Sequence, residues 1–191
     1  MTAIAAVVVL GTVGSPFAAY AVSDTDNTLI TATVGSTITV ASSTNAVGLS
    51  LTPGAQPVLT SASDTVTVNT NNAAGYNLTI ADSDATLTLS NGGNTITAHV
   101  GTPAAPTALA TNSWGWAVGG LGTFDGTYSI ESNATSSATK WAGISATPYN
   151  IKSTATTATN DVTTVWFAAK VDSSKPNGAY TDTVIYTATT K

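Results

Sequence analysis

Residues 64–80 read DTVTVNT-NNAAG-YNLTI, and the period of two in this stretch decides the fold class. In its first part Val66 and Val68 fall on one face, with Thr65, Thr67 and Asn69 on the other. In its last part Tyr76, Leu78 and Ile80 alternate with Asn77 and Thr79. Successive side chains of an extended chain point to opposite sides, so each segment is a strand with one apolar and one polar face. Asn71 to Gly75 supplies residues that tolerate positive φ, which predicts a tight turn and makes the pair a hairpin.

The pattern extends in both directions. Leu87 and Leu89 alternate with Thr86, Thr88 and Ser90, and Asn91-Gly92-Gly93-Asn94 turns the chain into Thr95–Ala98. Upstream, Ile30, Ala32 and Val34 alternate with Thr31 and Thr33, Thr37–Val40 follows, and Leu49 and Leu51 mark another short strand ended by Pro53-Gly54. Near the C-terminus Val165, Phe167, Ala169 and Val171 share a face. Lys175-Pro176-Asn177-Gly178 then turns the chain into a return strand carrying Tyr180, Val184 and Tyr186, a second predicted hairpin. Asp182 falls on that same face, so either a bulge intervenes there or the first residues of the strand lie beyond the core. About ten short strands with turn residues between them predict an all-β fold, an antiparallel two-sheet sandwich of the immunoglobulin-like kind. The loops 101–112 and 132–139 bring no shift of composition, so residues 22–191 are expected to form a single domain.

Composition agrees with this and excludes several functions. The 191 residues include 38 Thr, 31 Ala, 19 Ser and 13 Asn, but only one Glu, five Lys and no Arg. Threonine suits a pleated surface because its branched β-carbon favours extended backbone while its hydroxyl meets water. A net charge of −5 without a basic cluster excludes nucleic acid as a partner. The absence of cysteine excludes disulfides, thiol nucleophiles and thiolate metal sites.

Residues 3–14 (AIAAVVVLGTVG) are an uncharged apolar run, followed by Ser15-Pro16 and then by Ala19-Tyr20-Ala21. Apolar core, breaker and small-x-small site predict a signal peptide over 1–21 and a protein that is secreted, extracellular or held at the cell surface. The alternative is an uncleaved membrane anchor, since residues 3–22 are long enough to span a bilayer.

Few residues carry chemistry. His99 is the single histidine and Glu131 the single glutamate, which leaves little from which to assemble a hydrolase, so no catalytic activity is expected. The oxygen-rich stretches around Asp24 and Asp26, and around Asp82 and Asp84, are candidate Ca2+ ligands, although Asx turns explain both equally well. No other cofactor is expected. Trp114 and Trp116 lie two apart and share a face, Trp141 follows, and Trp166 lies on the face opposite Phe167. Exposed, these four rings would form a sugar-binding platform; buried, they would be the core of the sandwich.

The phrases TVTVNTNNAAGYNLTI (65–80), NSWGWAV (112–118), KWAGI (140–144) and VWFAAKVDSSKPNGAYTDTVIYTAT (165–189) resemble short secreted surface proteins of candidate-phylum bacteria. More distantly, the layout is similar to the WxL surface domain, a β-sandwich that attaches to peptidoglycan without covalent bonds. Trp116-Ala117-Val118 stands where that family has its first Trp-x-Leu, and Tyr186-Thr187-Ala188 where it has the second. The resemblance implies a bacterial cell-surface protein. The expected function is therefore structural or adhesive, with a cell-wall polymer or a host or neighbouring cell as partner. The alternative is a cell-wall or carbohydrate-binding module that uses exposed tryptophans. No charged residue protects the chain from Leu29 to Ser63, so the N-terminal strand around Leu29–Val34 either closes its own sheet or inserts into a neighbour's, which would give self-association through edge strands.

Overall fold

A computed structural model describes residues 23–191, so the apolar run 3–14 and the Ala19-Tyr20-Ala21 motif lie outside the described residues. The chain divides into two units, residues 1–34 and residues 35–191. In the first, residues 23–34 form no strand and are exposed throughout. Leu29, Ile30 and Val34 are 90%, 86% and 85% exposed. The alternation at Ile30, Ala32 and Val34 therefore buries no side chain and forms no strand among the described residues, which corrects the expectation of a strand there.

The second unit is all-β. Its strands are β1 (Ile38–Ser42), β2 (Val58–Thr70), β3 (Tyr76–Asp82), β4 (Thr88–Asn91), β5 (Asn94–Ala98), β6 (Thr107–Ala108), β7 (Ser113–Ala117), β8 (Lys140–Trp141), β9 (Tyr149–Ser153), β10 (Ala158–Val171) and β11 (Val184–Thr190). Six of them form a sheet in the order β1-β2-β10-β7-β5-β4, which curls into a half-barrel. Three more form the sheet β11-β3-β9, and β6 pairs with β8. The arrangement is not antiparallel throughout, because β5 runs parallel to β7 at Thr97↔Ser113 and Ala98↔Trp114. Nor are all strands short: β2 and β10 have 13 and 14 residues and pair along most of their length.

The turn expected at 91–94 closes a hairpin. β4 and β5 meet at Asn91↔Asn94 across Gly92-Gly93, where Gly92 has φ 58°. The two predicted hairpins do not form. β2 lies between β1 and β10, and β3 lies in the other sheet between β11 and β9. β10 likewise has both edges occupied, by β2 and β7, while β11 pairs with β3. The reason is visible in the turn residues. Asn71 bonds back to Gly35 and Thr37, Asn72 to the carbonyl of Lys191, and the N–H of Tyr76 to Thr154. These polar groups tie the turn to three distant segments instead of closing a two-stranded ladder. Crossing from one sheet to the other also lets Val66 and Val68 meet the same core as Tyr76, Leu78 and Ile80.

That core joins Val66, Val68, Val165 and Phe167 of the large sheet with Leu78, Ile80 and Ile151 of the small one. A polar tie crosses it: Tyr76 Oη donates to Asp161 Oδ2 at 2.7 Å, and Lys152 Nζ pairs with Asp161 Oδ1 at 2.5 Å. Burial alone would raise the Asp161 carboxyl, but the bonds from Lys152 and Tyr76 outweigh it and hold the group below its ordinary range.

The segment Val47–Leu51 keeps the alternation expected of a strand. Val47, Leu49 and Leu51 are half-buried, while Gly48 and Ser50 are exposed. Among the described residues it has no strand partner, so it is extended chain without a ladder.

Candidate functional site

Three of the four tryptophans are core. Trp114, Trp116 and Trp141 are 3%, 1% and 0% exposed. Each indole N–H has an internal acceptor: Leu87 O for Trp114 at 3.3 Å, Gly143 O for Trp116 at 3.1 Å and Thr139 Oγ1 for Trp141 at 3.0 Å. Trp116 packs against Phe124 and Tyr149, with ring centroids 5.3 and 5.8 Å away. An exposed platform built on these three is thereby corrected, because both sides of β7 are covered. Trp166 is half-buried and stacks on Tyr128 at 6.4 Å, 28° between planes. Tyr128 in turn meets Trp141 edge-on, and its hydroxyl donates to the carbonyl of Lys140. Burial and the charge of Asp125 push that phenol up to about 12.

His99 is also structural. It is 6% exposed, its Nδ1 accepts the N–H of Ala110 at 3.3 Å, and its Nε2 lies 2.8 Å from Thr107 Oγ1. Acceptance at Nδ1 assigns the proton to Nε2, and burial lowers the pKa, so the ring is a neutral staple between β5 and the 107–110 segment.

The candidate calcium ligands do not come together. Asp24 and Asp26 lie in the exposed 23–34 stretch, where Asp26 Oδ1 accepts the N–H of Asn27 at 2.9 Å. Asp82 Oδ1 accepts the N–H of Asp84 at 2.9 Å, and Asp84 Oδ1 that of Thr86 at 2.5 Å, which are Asx turns. Among the described residues no three His, Cys, Asp or Glu side chains are grouped to hold a metal.

The structure does assemble one cleft, under the 43–51 segment and beside the start of β11. It holds about 330 Å³ and is lined by Asp64, Leu89, Trp114, Phe167, Asp182 and Tyr186, among others. Asp64 is buried in the middle of β2 and is satisfied there: Ser42 Oγ donates to Oδ2 at 2.6 Å, and the N–H and Oγ of Ser43 donate to Oδ1. Asp182 is different. Its Oδ1 accepts the N–H of Thr183 at 2.7 Å, but its Oδ2 is buried without a partner, as are Asp82 Oδ2 and Tyr186 Oη. Burial, together with the nearby Asp82 and Asp84 charges, pushes the Asp182 carboxyl up to about 6. The bulge-or-end question at this residue is thereby answered: β11 begins only at Val184, and Asp182 lines the cleft before it.

This gives a pH dependence with a definite sign. A carboxyl raised in the folded state stabilises the protein below its unfolded value, about 3.9, and that stability is lost as the pH rises through about 6. Asp182→Asn is therefore expected to raise Tm by a few degrees at pH 7.5 and to leave it unchanged at pH 4. Thermal melts across this range check it, and an equal shift at both pH values would contradict it. A second groove, of about 590 Å³, continues from the cleft between residues 45–53 and 175–182, over Leu89, Ile96, Ala169 and Val171.

Neither a family model, nor a curated protein, nor a solved structure matches this chain.

Proposed function

We propose that this is an exported cell-surface protein with a structural or adhesive role and no catalytic activity, and that its two larger sheets act as the unequal layers of a sandwich. The observation that carries the reading is the exposed Leu29–Val34 segment, an uncharged and apolar strand sequence that buries none of its side chains. Isolated exposed apolar residues are ordinary, but three in six residues on one extended segment mark an attachment element. Supporting it, the outward face of β2 carries Ser63, Thr65, Thr67 and Asn69, and β11 adds exposed Thr187 and Thr189, which suits a chain that lives in water with little charge. The leader-like sequence over 1–21 and the resemblance to WxL-type surface proteins point the same way.

Trp166 favours a second reading, a glycan-binding module. Stacked on Tyr128, it lines a shallow depression of about 500 Å³ with Gly119, Gly120, Thr164 and Lys152. One experiment separates the two: immunogold labelling of intact producing cells, combined with pull-down on purified cell walls. Surface label without wall retention is expected. Wall retention abolished by Trp166→Ala, with an unchanged circular dichroism spectrum, would favour the second reading. Label confined to the cell interior would remove both.

A further inference from the structure

Two stretches of this chain have a strand's side-chain pattern and no strand partner among the described residues. One is Leu29–Val34, with Ile30, Ala32 and Val34 on one face and no buried side chain. The other is Val47–Leu51, whose apolar side chains turn inward at the groove over Leu89, Ile96, Ala169 and Val171. From Val47 to Leu51 no N–H or C=O bonds to another described backbone group; the carbonyl of Ser50 accepts only Thr60 Oγ1, at 2.9 Å. Backbone groups left this way along an extended segment are a template for another strand.

We propose that residues 29–34 of one copy add as a strand to residues 47–51 of a second copy, with the Ile30-Ala32-Val34 face covering the groove. This deepens the structural reading above, because it names the partner as the chain itself.

Three observations select this occupant. First, neither segment carries a charge: the sequence has none from Leu29 to Ser63, so neither strand brings an ion to be stripped of water, and the charged groups of the groove, Lys175 and Asp182, stand on its opposite wall. Second, the lengths agree, since six residues and five residues give strands of ordinary size. Third, a chain's own arm is too short to do the same. Gly35 and Thr37 are fixed beside Asn71, at the Thr70 end of β2. Ser50 is fixed beside Thr60, ten residues back along the same strand and so about 33 Å away at a strand's rise. Residues 29–34 fully extended span only about 20 Å. An arm leaving its own body at Gly35 cannot overlie Leu49 and Leu51, whereas the arm of a neighbour can. Because donor and acceptor are different surfaces, the contact is head-to-tail and propagates into a ring or a filament.

The absence of cysteine in the sequence makes the test clean. Thr31→Cys, on the arm's outward face, is placed in one preparation and Ser50→Cys or Gly48→Cys, also outward, in another, each as the full-length chain recovered from a secreting host. Mixing under mild oxidation is expected to give an intermolecular disulfide. Adding Ile30→Asp to the Thr31→Cys chain should reduce the yield, by weakening association on the order of a hundredfold, since the aspartate would have to lose its water against Leu89, Ile96, Ala169 and Val171. Ile30 is 86% exposed in its own copy, so this change leaves the fold intact. Three results would overturn the proposal: a monomer by analytical ultracentrifugation at high micromolar concentration, cross-linking insensitive to Ile30→Asp, or a doubly substituted chain that closes on itself at high dilution. Surface labelling with no cross-link would leave the structural reading standing and remove only this one.

Discussion

Trp116→Ala is expected to lower stability by about 3–5 kcal/mol, the cost of emptying a large aromatic site in a close-packed core. For a chain of this length that corresponds to a fall in Tm of roughly 6–20 °C. The magnitude follows from what the ring touches. Trp116 is 1% exposed and fills the space between Phe124 and Tyr149. Its indole N–H reaches the carbonyl of Gly143, so truncation also leaves that acceptor unsatisfied. Its backbone stays in place, exchanging hydrogen bonds with Ala142 in both directions at 2.8 and 3.0 Å, so the cavity cannot simply close. Guanidinium or thermal unfolding followed by circular dichroism measures the loss. A variant as stable as the parent would mean that the ring is not core and would reopen a binding role for β7.

Gly143→Ala is expected to be damaging out of proportion to one methyl group, at about 3 kcal/mol or more. Gly143 crosses directly beneath His99, and a β-carbon placed there would run into the His99 carbonyl. The contact is with backbone, which no side-chain rotation can relieve. Both backbones are held: the N–H of Gly143 donates to Gly101 O at 2.8 Å, and that of His99 to Trp114 O at 2.7 Å. Gly115 tells the same story one strand away, with an added β-carbon 2.5 Å from the Ala142 carbonyl. Glycine at 115 lets Ala142 lie close against β7, and glycine at 143 lets the chain pass the His99 backbone. Expression yield and Tm of Gly143→Ala, compared with Gly93→Ala in the exposed β4–β5 turn, where an added β-carbon meets nothing, check the size of the effect. Parity between them would contradict this packing.

The half-buried strands of the two larger sheets were legible in part, because such a strand writes its two faces into alternate residues. Val66 and Val68, Leu78 and Ile80, and Val165 and Phe167 all lie buried as their alternation requires. The same alternation at 30–34 and 49–51 forms no strand, and β6 lies within an expected loop. Strand partners were not legible. Residues 64–80 have the same pattern whether the chain returns beside itself or crosses to another sheet. The difference lies in distant bonds such as Asn72 to Lys191. The length of β2 was hidden because Asp64 sits in its middle, buried, and only the hydroxyls of Ser42 and Ser43 make that tolerable. The tryptophans posed a similar ambiguity. Spacing places Trp114 and Trp116 on one face, but burial of that face depends on Phe124 and Tyr149, which no periodicity connects to β7. The cleft was the least legible part, since Asp64, Asp182 and Tyr186 come from opposite ends of the chain.

Both 29–34 and 47–51 obey the strand pattern and lack a ladder among the described residues, and the proposed assembly makes them each other's partner across two copies. Amide hydrogen exchange read by mass spectrometry tests this most directly, comparing the parent chain with Ile30→Asp at the same concentration. The account predicts slow exchange in both segments of the parent and fast exchange in both segments of the variant, with β2 and β10 protected alike in the two. Protection of 47–51 that survives Ile30→Asp, or rapid exchange of 29–34 in the parent, would contradict it.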